Sequence, residues 1–383
     1  MTASIDDIRA REFPWTLRGD RIYLNHASTG PMPVRACRVQ AEFNERRGEP
    51  WRITHEDQFG TLRRSRELCA ALIGASPDEI ALMVNTTYGI NVAAACVPLT
   101  AGDVVVSSDR EFPANVYPWM ALERRKGIVY QRVPYTGGVT DEEGILRALD
   151  QPRVKVLTIS SVSFETGFRV DLERLGAACR ERDIWFVVDA IQGVGAAPID
   201  VRSCHADFVA CGAQKWLLSP WGSGFLYVRR ERIAGLEPQP VGWMAVRGSA
   251  DFTRLCDYAL DWYDDARRFE VITLPFPDFA GMNASLELFH EIGLAEVHRR
   301  VAERTAQVVA WAQGRRDVRL VTPADPSRRA GIVSVAPRDP VAASRRLHEA
   351  GVVHAVREGS LRLAPHFYTS EEEIDRALAL LGA

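Results

Sequence analysis

The chain has 383 residues, more than a single hydrophobic core usually spans, so one large domain with a smaller companion is expected. With 46% apolar and 25% charged residues it has the composition of an ordinary globular protein, and a net charge of −3 argues against a nucleic-acid footprint or a polybasic membrane patch. Seven scattered cysteines with no Cys-x-x-Cys pair argue against a disulfide framework or structural zinc, and no run nears the ~18 apolar residues of a membrane span.

In chain order, residues 1–20 read as an N-terminal segment with Asp6 and Asp7 and no apolar leader, which fits a cytoplasmic protein. Residues 21–275 read as a large α/β domain. Its strands are EIALMV, DVVVSS, GIVYQRV, VKVLTISS, IWFVVD, DFVACG and GFLYVRR, separated by helical stretches such as 171–183, where Leu172, Leu175 and Cys179 share a face. That alternation predicts a mainly parallel central sheet flanked by helices. The Pro/Gly-rich stretch 235–248 reads as an ordered excursion. Residues 276–383 read as a smaller α+β domain: a long helix over roughly 278–313, the strand GIVSVAP, a helix near 340–350, the extended VVHAVREGSLRLAP and a last helix from Ser370.

Ligands of open parallel sheets collect outside the carboxyl ends of the strands, so the residues there carry the candidate chemistry. Strand EIALMV runs into Asn85, Thr86 and Thr87 at the start of an apolar helix, which is either an N-cap or an anion site made of hydroxyls and free N–H groups. Strand IWFVVD ends on Asp189, an acid that is costly to bury alone. Strand DFVACG leads through Ala213 and Gln214 to Lys215. An ion pair explains acid and amine. Acid, amine and anion site together also suit one cofactor, pyridoxal 5′-phosphate (PLP), which offers a pyridine nitrogen, an aldehyde and a phosphate.

The motifs YLNHAS, NTT, EFPANVYPW, SSVSFETGFRVDL, VVDAIQGVG, CGAQKWLLSPWGSGFLYV, RFEVIT and REGSLRLAPHFYTSEEEID, in this order, resemble the class V aminotransferase family of fold-type I PLP enzymes, the group of cysteine desulfurases and isopenicillin N epimerase-like proteins. The resemblance spans nearly the whole chain. It implies a Schiff base on Lys215, which then moves protons as general base and acid, and Asp189 on the pyridinium nitrogen. It further implies Gln192 at the ring's 3-oxygen, Phe112 stacked on the ring, and Thr86 and Thr87 on the phosphate. Gln214 falls in the cofactor shell where relatives often have His. Thr273 resembles a residue offered to the phosphate of a second subunit, which implies a homodimer. Arg362 matches the arginine that grips the substrate carboxylate. Asn25, His26 and Ser28 lie in the segment that lines the substrate side. Arg357 is either a second anion contact or a surface arginine, and Phe112 and His26 each also have a plain core reading.

The pattern is broken at Gly212, where relatives often carry Ser or Thr, and at Phe164, where an Asn often meets the cofactor. Between Arg357 and Arg362 stand only Glu358, Gly359, Ser360 and Leu361, without the loop cysteine of the desulfurases, so desulfuration is disfavoured. The expected activity is amino-group transfer on an amino acid. Epimerisation, β-elimination or side-chain cleavage are the alternatives, with a non-catalytic PLP- or amino-acid-binding module as the outsider.

Overall fold

The computed structural model describes residues 4–382. After the short strand β1 (Ile22–Tyr23), the seven expected runs become β2 (Ile80–Leu82), β3 (Val104–Ser108), β4 (Val129–Val133), β5 (Val154–Ser160), β6 (Trp185–Asp189), β7 (Phe208–Gly212) and β8 (Gly224–Val228). They form one sheet in the order β2-β8-β7-β6-β5-β3-β4. Only β8 runs against its neighbours, so β2, β5, β6 and β7 all end on the same edge.

Both faces of this sheet are buried, which is why its strands read as continuous β-branched runs rather than as an alternation. Phe186, Val188 and Val209 pack under the helices Thr61–Ile73, Glu142–Leu149 and Leu172–Glu181. Val187, Phe208 and Ala210 pack under Thr86–Cys96 and Tyr117–Lys126 on the other side. Aspartates start the crossovers: Asp141 accepts from Gly144 N at 2.8 Å and Asp171 from Arg174 N at 3.0 Å, each meeting an amide that the helix leaves unpaired.

The second sheet holds β9 (Val318–Leu320), β10 (Val333–Pro337), β12 (Ala355–Arg357) and β13 (Ser360–Leu363) in the antiparallel order β12-β13-β10-β9. The intervening β11 (Val352–Val353) instead pairs in parallel with β1. Ile22 and Leu24 therefore join the core of Val308, Val333, Leu361 and Ile374, and the segment after residue 20 is packed with the smaller sheet.

The long helix expected over 278–313 is two helices, Phe276–Ile292 and Leu294–Gln313, broken where Gly293 adopts φ 88°. Only glycine takes that conformation without steric cost, so it stops a helix whose apolar pattern continues on both sides. The first of the two packs Phe279, Met282 and Phe289 into the same core as Leu62, Leu68 and Trp216, so packing joins across the sequence boundary at 275. The last helix, Glu371–Gly382, starts from Ser370, whose Oγ accepts from Glu373 N at 3.2 Å while Ser370 N donates to Glu373 Oε2 at 2.8 Å. No helix among the described residues is long and apolar enough to cross a membrane.

Candidate active site

The shared edge of β2, β6 and β7 brings the expected residues together. Asp189, the last residue of β6, is 2% exposed, and its Oδ1 accepts from Ile191 N at 3.1 Å. Burial pushes this carboxyl up to about 6, against the pull of that N–H and of the Lys215 charge. Lys215 follows β7. Burial brings its ammonium down to about 8 although Asp189 holds it up, so a sizeable neutral fraction, the nucleophilic form, exists near neutral pH. Acid and amine influence each other's charge without forming an ion pair, and the Lys215 Nζ stands 5.4 Å from the centroid of the Phe112 ring.

The anion end lies beside β7. Asn85, rather than a threonine, caps the helix Thr86–Cys96, accepting from Tyr88 N at 2.9 Å. Thr86 is buried and its Oγ1 accepts from Gly212 N at 2.8 Å, which leaves its O–H to donate; Thr87 is exposed on the first turn. A Cβ on Gly212 would meet Gln214 Oε1 at 2.6 Å and Thr86 Oγ1 at 3.3 Å, so glycine here leaves room for the Gln214 amide. That Oε1 is buried without a partner. An amide can equally turn its two N–H donors to an anion.

The other end of the site comes from the smaller sheet. Arg362 in β13 is 2% exposed, donates from Nη1 to Phe164 O at 2.8 Å and from Nη2 to Ser28 Oγ at 2.7 Å, and has a buried, unpartnered Nε. Burial and the charge of Arg357 bring it down to about 10. Arg357 is exposed and reaches the same Ser28 Oγ at 3.5 Å. Asn25 Oδ1 is a further buried atom without a partner. Phe164 packs edge-on against Phe112 with centroids 5.4 Å apart, an apolar contact where an Asn was the family expectation.

Three expected residues stand differently. His26 is 0% exposed, with Nδ1 2.7 Å from Ala364 O and Nε2 2.6 Å from Tyr368 Oη. Burial holds it down to about 4, so it is a neutral core histidine packed among Tyr23, Tyr368 and His366 and not a substrate contact. Gln192 donates to Ala27 O at 2.9 Å and accepts from Trp216 Nε1 at 2.8 Å, which leaves one N–H for a ligand. Thr273 is exposed, accepts from Trp243 Nε1 at 3.0 Å and makes no contact with Lys215 or Thr86 within one chain.

The sequence reading passed over Glu111. Half-buried as a residue, it turns its carboxylate inward onto Ser160 and Asn115. Its signal was an acid directly before the candidate stacking ring with an Asn four residues on. Arg110, held at φ 58°, pairs with Glu165 at 2.7 Å and with Glu358 of the β12–β13 turn at 3.1 Å, tying that turn to the large domain.

Residues 22–376 match the family described as aminotransferase class-V. The chain belongs to this family. It is 29% identical to a probable cysteine desulfurase of Methanothermobacter thermautotrophicus across 96% of this chain and 95% of that protein. It is 28% identical to isopenicillin N epimerase of Streptomyces clavuligerus across 94% of each. Among solved structures, a mutant of C-DES with glycine covalently linked to its PLP cofactor superposes with a TM-score of 0.88 at 24% identity, covering 97% of this chain and 98% of that one. Relatives named as desulfurases remove the support for disfavouring that chemistry from the missing loop cysteine alone.

The class-V family is one of PLP-dependent enzymes, and this chain is an enzyme of that kind. Of its orphaned polar atoms Arg362 Nε is a donor open to an anion, and the Gln214 amide, once turned, offers its N–H groups to a phosphate, with a buried acid and amine between.

Two outcomes follow. Because Asp189 titrates higher folded than unfolded, its stability contribution is full below pH 3.8 and is lost as pH rises through about 6. Cofactor-free Asp189→Asn should therefore melt higher than wild type at pH 8, by up to ~3 kcal/mol for a two-unit shift, with the gap closing by pH 4 in scanning calorimetry. Gly30 lies so close to the lysine that a Cβ would be 2.1 Å from Lys215 O. Gly30→Ala should cost roughly 2 kcal/mol or more by overpacking and displace Lys215, read as a lower melting temperature and weaker PLP retention on gel filtration.

Proposed function

We propose that the enzyme binds PLP covalently through Lys215 and transfers the amino group of an amino acid to a keto acid. The observation that supports this reading is a buried amine, Lys215, within the field of the buried Asp189 and 5.4 Å from the centroid of Phe112, a ring that cannot move a proton. When bound, PLP supplies an electron sink that weakens the bonds at the amino acid's α-carbon.

The protein's part is to hold and to move protons. Asp189 holds a proton on the ring nitrogen. Thr86, Thr87, the N–H groups of their helix turn and Gln214 bind the phosphate. The remaining N–H of Gln192 meets the ring's 3-oxygen. Phe112 covers one ring face and keeps water away. Arg362 would take the substrate carboxylate in a bidentate grip, with Ser28 and Asn25 at its side, and so orient the amino acid. Lys215 Nζ would be the group that takes the α-proton of a bound amino acid and gives it back. Thr273 fits a phosphate contact to a partner subunit, which makes the working enzyme a homodimer.

Transamination needs one base that reaches both the carbon losing the proton and the carbon gaining it. Epimerisation needs one on each side of the α-carbon, and among the described residues beside Lys215 no second free base presents itself. The second reading is cleavage of the carbon–sulfur bond of cysteine, favoured by the relatives named as desulfurases. The β12–β13 turn has no cysteine, and the exposed cysteines, Cys37 and Cys256, lie on other segments, so sulfur would pass to an acceptor outside that turn.

Incubating the PLP-loaded enzyme with a panel of amino acids separates the readings. Transamination predicts stoichiometric keto acid with loss of the visible cofactor band, restored by added keto acid; alanine from cysteine, with sulfide released when a thiol reductant such as dithiothreitol is added to reduce the transferred sulfur, would support the second reading instead. Arg362→Lys should raise KM roughly 10- to 100-fold, the loss of one charged hydrogen bond of about 1.5–3 kcal/mol, for every amino acid in the panel.

A further inference from the structure

Glu111 is a half-buried acid with an inward-facing carboxylate that the proposed chemistry leaves unused. Both its oxygens accept from Ser160 N, at 3.0 and 3.1 Å; Oε2 also accepts from Ser160 Oγ at 2.5 Å and from Asn115 Nδ2 at 3.0 Å. Asn115 is itself fixed, fully buried with its Oδ1 accepting from Thr158 Oγ1 at 2.6 Å. Every partner of Glu111 is thus a donor, which suits the ionised form.

No cation answers it. Among the described residues Glu111 joins no ion pair, since Arg110 beside it is spent on Glu165 and Glu358. The facing groups are acidic or neutral: Asp189 from β6, Tyr130 from β4 and Tyr135 beyond it, with Asp109 on its own segment already beside Arg132. Ser160, which carries Glu111, is paired in register with Asp189 on the adjacent strand, roughly 4.8 Å away between strands. Burial pushes Glu111 up to about 7 against the pull of its Ser160 and Asn115 hydrogen bonds, and the Asp189 charge adds the smallest push. Two carboxyls without an ion pair, Glu111 over Ser160 and Asp189 on the next strand, therefore stand at neighbouring strand ends where the ring nitrogen is expected, and of the two Asp189 feels the Lys215 charge. A neutral hydrogen-bonding clamp would have met Ser160 and Asn115 without that electrostatic cost, as a Gln can.

We propose that Glu111 is a positioning residue that acts through Asp189: the two form an acidic pair selecting a protonated heterocycle and holding the proton on its nitrogen. This rests on the PLP reading above. A cation docked against Asp189 relieves the repulsion between the two carboxylates, so the cofactor binds as the pyridinium in preference to the neutral ring. The lysine stays outside this pair, at the aldehyde end.

The test uses two probes on the cofactor-free full chain, PLP and 1-deaza-PLP, in which a C–H replaces the ring nitrogen, with affinity read from absorbance and fluorescence. Wild type should bind PLP the more tightly. Glu111→Gln should weaken PLP by more than twofold, while changing deaza-PLP affinity less than twofold. Ser160→Ala, which removes one hydrogen bond that keeps Glu111 ionised, should move the PLP-to-deaza ratio the same way by less. Equal weakening of both probes in Glu111→Gln, or an unchanged ratio, shows a loop clamp alone and overturns the inference. Wild type that binds neither probe overturns the cofactor reading and this inference with it.

Discussion

A carboxylate placed at the end of a fully buried strand, with an amine at the mouth of the next strand and no ion pair between them, is the constraint on which this molecule turns. Asp189 cannot move away, because β6 is held between β5 and β7 and its neighbours are packed on both faces. Among the described residues, Asp189 is the carboxylate whose charge acts on Lys215. Each group is therefore kept partly in its neutral form, the acid raised and the amine lowered, and a ligand that is cationic at one point and electrophilic at another satisfies both.

The rest of the site is support for that geometry. Behind Lys215, Trp216 donates to Gln192, and His366 Nε2 lies 3.0 Å from Trp216 O, so the turn after β7 is pinned from the side away from the cleft. His26 belongs to this buried aromatic wall. The loop that follows β1 presses on the same turn, with Gly30 N donating to Gln214 O at 2.8 Å. On the open side, Arg362 depends on both parts of the chain: Phe164 comes from the large sheet's loop, Ser28 from the N-terminal segment, and the arginine from the small sheet. A substrate held by this arginine is thereby sited by the packing of the two sheets against each other.

Much of this was legible in the sequence because the relevant signals are local. Seven β-branched runs bounded by turn residues gave the seven strands of the main sheet, and the polar residues just after them gave Thr86, Asp189 and Lys215. The features that were not legible depend on which way a side chain points. His26 sits in the right segment, but its backbone pairing with Ala364 turns the ring into the core. Glu111 reads as an ordinary loop acid until β5 places the Ser160 amide beneath it. The helix break at Gly293 is masked by apolar spacing that continues through it, and the migration of β1 to the small sheet follows from a two-residue pairing with β11 that no periodicity announces. Thr273 is a further case, since its expected partner lies outside one chain.

The central claim is a covalent link between the Lys215 side-chain nitrogen and the cofactor's aldehyde carbon. Borohydride reduction of the folded protein loaded with PLP, followed by peptide mass mapping, tests it most directly. A pyridoxyl mass on the peptide that contains Lys215, absent in Lys215→Ala, is the predicted result; a modification placed on another lysine, or none in protein that retains its fold, would contradict it.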